Sequence, residues 1–479
     1  MPPPFPSPIR RRARRGCLAA AIILAALLAL PIGILSCLRT FHSPWPAPPE
    51  GVRLEIRLPL VPRPELTEAD AQYHLLACTH DYHHVDGLHE DRTRWGALGR
   101  LGAPYPAMAE AAQTNAVWHE HIARAARAPS NGWHFTMATD ETLPWLSPCL
   151  NWFRLCGWQA WTDEQSVGPD AADEHRIAAL QLASRFVEQG ALIQHLVGLA
   201  GIGMICDDMA RAAMDDPAPS PARLREWIRI LHEFEPAPDS FAETLRYEYL
   251  FASNAVHEVY SSAEARSEIL PTGRLLRSRP SLLRLAGSSL PRTQRHVADT
   301  YRHLIALAQS PAGPAPAEDW FESHFVRNRA RFMLDDPIGA LTLSLVVPAT
   351  DRARDRHLDL VTAMRATRLI CAIRIHELEH NGRLPDRLSD LVPEVLDELP
   401  VDPFHPDEAP FEYRLCPQDG HVLWSVNRDG RDDGGTATLD EPSRAADRVF
   451  GPAIFRLRRE AYFEKEIPRK DFGPLSSRS

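Results

Sequence analysis

Between Gly16 and Leu38 the chain carries no charged residue, and Arg10, Arg11, Arg12, Arg14 and Arg15 stand directly before that run. A helix of about 20 apolar residues crosses the hydrocarbon core of a bilayer. Basic residues flanking such a span stay on the cytoplasmic side. The pattern therefore predicts a cytoplasmic Arg-rich end over residues 1–15 and a single transmembrane helix over residues 16–38. The expected placement is the inner (cytoplasmic) membrane, with the N-terminus in the cytoplasm and the bulk extracytoplasmic or periplasmic. A cleaved signal peptide is the second reading, although such peptides have a shorter apolar region ending at a small-residue site.

The chain has 479 residues, 44% apolar and 24% charged, which is ample for folded domains. A net charge of -10 argues against nucleic acid as a partner, since a nucleic-acid binder shows a basic face. The 43 prolines mark linkers, among them a Pro-rich tether over residues 39–66. Beyond it, helical periodicity takes over. Thr67 is a capping candidate for a helix over Ala71–Ala77. Further helices are expected over Ala107–Ala126, Leu146–Trp161 and Asp173–Ala213, the last split in two by Gly190. Others should start after Ser220 and run over Phe241–Tyr260, Arg292–Gln309 and Trp320–Met333. The fold class expected is mainly α: the transmembrane helix, an all-α extracytoplasmic domain over residues 67–335, and then a smaller α+β module.

That module occupies residues 336–440. An apolar run, Ile338–Ala349, precedes a charged helix over Asp351–His380. Gly382-Arg383-Leu384-Pro385 and Leu391-Val392-Pro393 follow, then Pro400-Val401-Asp402-Pro403-Phe404, then two short strand patterns, Phe411–Leu415 and a run from Val422. The stretch ends Leu423-Trp424-Ser425-Val426-Asn427-Arg428-Asp429-Gly430-Arg431-Asp432-Asp433-Gly434-Gly435. In this order the segments resemble the soluble domain of type II secretion major pseudopilins, which implies a spine helix, a cap and a short antiparallel hairpin. The phrase Leu180-Gln-Leu-Ala-Ser-Arg-Phe-Val-Glu-Gln-Gly-Ala-Leu-Ile-Gln-His-Leu-Val-Gly-Leu-Ala200, followed much later by this module, is similar to a group of membrane-anchored planctomycete and verrucomicrobial proteins, which implies architecture only. Residues 441–479 read as a C-terminal helix over Pro452–Phe463 and a polar tail, peripheral to the rest.

Three clusters could carry chemistry. His376-Glu377-Leu378-Glu379-His380 fits H-E-x-x-H, in which two histidines one helical turn apart bind zinc and the glutamate acts as general base. The competing reading is a helix end, because the helix stops at Asn381-Gly382 and the histidines continue the apolar stripe of Leu369 and Ile373. The second cluster is the loop Asn427, Asp429, Asp432 and Asp433, whose oxygens and glycine turns suit a hard cation such as calcium. The pseudopilin resemblance implies calcium there as well, with Asp429 at the matching position. The third is the patch His80, His83, His84 and His89 with His119 and His121, whose irregular spacing matches no structural zinc pattern.

Of the eight cysteines, Cys17 and Cys37 lie in the apolar segment, and Leu35 fits poorly in a lipoprotein-type cleavage box ending at Cys37. Cys149 and Cys156 could pair only across facing turns. On one continuous helix they would stand about 10 Å apart, too far for a disulfide. The function expected is a non-enzymatic scaffold or interaction component of the cell envelope, with protein partners there and no nucleic acid. Two alternatives stand beside it: a membrane-anchored zinc hydrolase using His376, Glu377 and His380, and a ligand-binding helical domain, which a convergent pocket within residues 67–335 would favour.

Overall fold

The computed structural model describes residues 65–81, 113–133, 143–188, 190–217, 219–262, 288–309, 335–436 and 447–457, with isolated positions at 52, 54 and 332. The membrane span, the Arg-rich end, most of the tether, most of the helix expected over Trp320–Met333, and His83, His84 and His89 lie outside the described residues. What is described is mainly helical, with one small antiparallel sheet.

The helices are α1 (Ala71–Asp81), α2 (Ala116–Arg127), α3 (Leu146–Ser166), α4 (Pro169–Glu188), α5 (Leu192–Asp215), α6 (Pro221–Glu233), α7 (Ser240–Ser261), α8 (Leu290–Gln309) and α9 (Pro337–Glu379). They follow the apolar periodicity closely. Thr67 and Asp70 close the turn before α1: the Thr67 hydroxyl donates to Asp70 Oδ2 over 3.0 Å and accepts from the Ala69 amide over 3.3 Å. Gly190, at φ 143, separates α4 from α5. Side chains are rarely tolerated at that φ, so glycine sets the break.

Helix α5 is the centre of the first core, packing on α3, α4 and α9. Glycines let it approach closely. A Cβ on Gly198 would stand 2.6 Å from the Ala183 carbonyl oxygen of α4, and one on Gly201 would stand 2.6 Å from Phe153 Cδ2 of α3. Among the described residues α5 is also the one helix long and apolar enough to cross a membrane, but 61% of its apolar window is buried inside the fold. It is accordingly a core helix of this bundle.

The long helix differs from the sequence expectation. It does not begin at Asp351 but at Pro337, and its 43 residues extend about 65 Å. Asp336 is its N-cap, accepting from the Gly339 amide over 3.2 Å, while Ser288, Thr293 and His296 also hold its carboxylate. Pro337 stands at the first helical position, where a missing N–H costs nothing. The apolar run is thus the first part of α9 and not a separate segment.

Two cores meet along this helix. Ala340, Leu343 and Ala353 belong to a core with α7 and α8, on which Val52 and Leu54 of the tether also rest. Met364, Leu369, Ile370 and Ile373 belong to the core built from α1 to α6. The expected boundary between residues 335 and 336 falls at the N-cap of a helix that both cores share.

After α9 the chain turns back. A 3-10 turn at Leu388–Leu391 puts Leu388 and Leu391 onto the first core. Strand β1 (Glu412–Cys416) and strand β2 (Gly420–Ser425) form the expected hairpin, with Tyr413 opposite Leu423. A third strand, β3 (Arg448–Phe450), pairs with β2 on its other edge, Trp424 facing Val449. Over residues 447–457 this corrects the peripheral reading of the C-terminal segment. Val449 and Ala453 are buried against Trp424 and Val422, and only residues 452–457 of the expected final helix are described. Their apolar side chains have a sheet to cover, which a short three-residue strand signal does not announce.

Candidate functional site

The H-E-x-x-H segment sits at the last turn of α9. His380 is the C-cap, Asn381 (φ 56) and Gly382 (φ 82) turn left-handed, and the Gly382 amide donates to the Glu377 carbonyl over 2.8 Å. This is the stop that Asn381-Gly382 announces. His376 is 8% exposed, and its Nδ1 lies 3.1 Å from the Arg383 carbonyl oxygen. His380 Nδ1 lies 2.9 Å from the His376 carbonyl oxygen. Each ring therefore caps a backbone carbonyl at the helix end. The two rings stack with centroids 3.9 Å apart and planes 13° from parallel.

As placed, the two rings do not converge on a shared ion. A ring nitrogen binds a metal through a lone pair lying in the ring plane, at about 2.0–2.1 Å. Two nearly parallel rings aim their lone pairs along parallel planes, and an ion equally close to both would stand well out of each. Glu394 approaches His380 Nε2 at 3.8 Å, but both side chains are largely solvent-exposed. Glu377 faces elsewhere: its Oε2 pairs with Arg374 Nη1 over 2.5 Å, and Arg374 also donates to the carbonyls of Asp216 and Pro217. The three residues of the alternative zinc site are not brought together for metal-assisted hydrolysis.

Glu377 instead lines a cavity of about 190 Å³ with Arg374, Asp419 and His421. Burial pushes the His421 imidazole down to about 4, although Glu377 and Asp419 pull the other way. Its Nε2 is buried without a hydrogen-bond partner. Asp419 is held by Arg456 over 2.8 Å.

The acidic loop after β2 is folded onto its own backbone. Asp429 Oδ1 accepts from the Arg431 amide over 3.1 Å. Asp432 Oδ1 accepts from Trp424 Nε1 and from the Gly434 amide, each over 2.9 Å. Asn427 is buried at φ 56 with its amide N–H on Ser425 Oγ, and Arg428 reaches back to Asp355 and Asp359 of α9. Gly435 is required here: a Cβ would stand 2.5 Å from the Trp424 ring. Among the described residues no group of three His, Cys, Asp or Glu side chains is placed to hold a metal ion.

Two carboxylates that the sequence did not single out organise this end of the molecule. Asp402, in Pro400–Phe404, is 1% exposed and accepts from the Phe404 amide, Ser425 Oγ and the Val426 amide at 2.8–3.0 Å. Burial raises its carboxyl despite those donors. Asp447 accepts from the Asp433 and Gly435 amides over 2.9 and 2.8 Å, and its Oδ1 is buried without a partner. Burial, with Asp432 and Asp433 adding to it, raises this carboxyl also. The Asp402 turn was legible as a motif; Asp447 carried no local signal, because its partners are backbone amides twelve and fourteen residues away.

Comparison with known proteins found no matching family model, no matching curated protein and no matching solved structure.

The cysteine question is settled by α3. Cys149 and Cys156 lie on this one continuous helix, both buried and neither in a disulfide. Cys206 and Cys371, on α5 and α9, are also free and buried, and burial pushes the Cys371 thiol up to about 12. Of the histidine patch, His119 is described as a half-buried group whose imidazole burial pushes down to about 4.

Proposed function

We propose that the chain is a single-pass, membrane-anchored extracytoplasmic scaffold or interaction component of the cell envelope, with no catalytic role of its own. Its C-terminal part is read as a module of the pseudopilin type, related in that respect to secretion machinery. The observation that carries the non-enzymatic reading is the use made of the H-E-x-x-H side chains. His376 and His380 cap backbone carbonyls in a stacked pair, and Glu377 is tied to Arg374. They serve a helix end that the first core and the 3-10 turn after it hold in place.

The order of long helix, cap, Asp402 turn and hairpin supports the module reading. This chain carries the module behind residues 39–335 and not continuous with the membrane span, so partnership in the envelope is favoured over assembly into a filament. Calcium in the loop of Asn427, Asp429, Asp432 and Asp433 gains no support from side chains that already serve the backbone and Trp424.

Reporter fusions to the intact N-terminal part test the anchoring. A reporter active only outside the cytoplasm, joined after residue 66, should be active and membrane-bound. Activity of a cytoplasm-only reporter at the same junction would overturn the topology.

A further inference from the structure

Away from α9 and the sheet, a cleft of about 520 Å³ opens between the end of α2, the loop that follows it and one face of α4. That volume is of the size that holds a small organic molecule. From α4 it receives Gln181, Ser184, Arg185 and Glu188, which three- and four-residue steps place on one helical face. Arg127, the last residue of α2, and Asn131 line the opposite side.

Arg185 is fixed in place. Its Nη1 donates to Asn131 Oδ1 over 2.7 Å and its Nη2 to the Ala128 carbonyl over 2.5 Å, while its own carbonyl accepts from Trp133 Nε1 over 3.2 Å. Burial lowers its pKa by more than Glu188 restores, so the guanidinium is held without a fully compensating anion. Ser184 is 4% exposed and lines the cleft. Arg127, Gln181 and Ser184 have no hydrogen-bond or ion-pair partner among the described residues.

From this geometry we propose that the cleft binds a small organic oxyanion that also carries a hydroxyl or ammonium group. The Arg127 and Arg185 guanidinium forks suit the planar, paired oxygens of a carboxylate or the oxygens of a phosphate. Ser184 and Gln181 supply neutral donors and acceptors between them. Glu188 sits one turn beyond Arg185 and accepts from the ligand's hydroxyl or ammonium end. The cleft lies at the C-terminal ends of α2 and α4, where the helix dipole disfavours a bare anion. A ligand with a donor at its far end is therefore selected over a simple ion. This site is independent of the scaffold reading and of the C-terminal module.

Calorimetric titration of the full-length protein in detergent tests it. The probes are citrate, glycerol phosphate, serine, inorganic phosphate and neutral glycerol. Saturable binding of at least one of citrate, glycerol phosphate and serine is expected, with inorganic phosphate at least tenfold weaker and glycerol silent. The better of citrate and glycerol phosphate tells carboxylate from phosphate. Arg127→Gln should weaken binding at least tenfold with an unchanged melting temperature, because Arg127 holds nothing in the fold. Glu188→Gln should weaken serine more than citrate. No saturable binding of citrate, glycerol phosphate or serine, or equal affinity in Arg127→Gln, would overturn the proposal.

Discussion

Arg176 Nε donates to Asp208 Oδ2 over 2.6 Å between α4 and α5, with the arginine side chain fully buried. The pair does not stand alone. Arg176 also reaches Glu164 and Asp173, Arg211 meets Asp208 from the other side, and Arg223 joins Asp173 and Glu164 while lying 4.5 Å over the Trp227 ring. One ionic network thus ties α3, α4, α5 and α6 together. A buried ion pair adds little over an apolar pair of the same size, but losing one partner leaves an uncompensated buried charge.

Arg176→Met should therefore destabilise the fold by about 3–5 kcal/mol, measured by urea denaturation. The double variant Arg176→Met/Asp208→Leu should recover part of that loss. If the double variant is as unstable as the sum of the two single ones, Arg176 and Asp208 are not coupled.

Burial raises the Asp208 carboxyl, but Arg176 and Arg211 together outweigh it and hold it below its ordinary value. Asp336 is held low in the same sense: burial raises it, and His296, Ser288 and Thr293 overcome that. A carboxyl lowered in the folded state contributes stability above its unfolded pKa of about 3.9 and loses it as pH falls through the folded value. Acid unfolding below about pH 4 should accordingly be steep, and Asp208→Asn should flatten it at the cost of stability near neutrality.

A second pH window belongs to buried histidines. His195 is fully buried, with Nδ1 near the Val187 carbonyl and the Thr244 hydroxyl, and its ring stacks on His357 with centroids 5.3 Å apart. Burial pushes His195 down to about 3 and His357 down to about 4, with His357 acting on the first and Arg354 on the second. Unfolded histidines titrate near 6.5, so the unfolded chain takes up protons that the folded one refuses. Stability should fall as pH drops from about 6.5 to about 4. His357→Phe, stacked between His195 and Phe241, should reduce that slope in denaturation curves at pH 7, 5.5 and 4.5. An unchanged slope would remove these histidines as its cause.

The close crossings of α5 predict a different kind of loss. Gly198→Ala drives a methyl against the backbone carbonyl of Ala183, which cannot retreat without moving α4. Overpacking of this kind costs about 1–3 kcal/mol. Gly203→Ala, which meets nothing within 4 Å, is the control and should be neutral or slightly stabilising.

The helices from α1 to α8 were legible because apolar residues at three- and four-residue steps and Gly190 mark them directly. The hairpin and the Asn381-Gly382 stop were legible for similar local reasons. The start of α9 was misplaced because its apolar first part reads as a separate segment, while Asp336-Pro337 gives only a two-residue cap signal. Strand β3 and the Asp447 carboxylate escaped because their partners lie far along the chain. The H-E-x-x-H match was legible as a pattern, but its meaning depends on ring orientation, which spacing cannot give. The cleft residues Arg127 and Arg185 meet only through packing of α2 on α4, and no motif joins them.

The most direct test of the non-enzymatic reading is zinc content per chain, measured by elemental analysis of the full-length protein after weakly bound metal is removed. Zinc well below one per chain is expected, unchanged in His376→Ala. One zinc per chain in the wild type that is lost in His376→Ala would contradict it and restore the hydrolase reading.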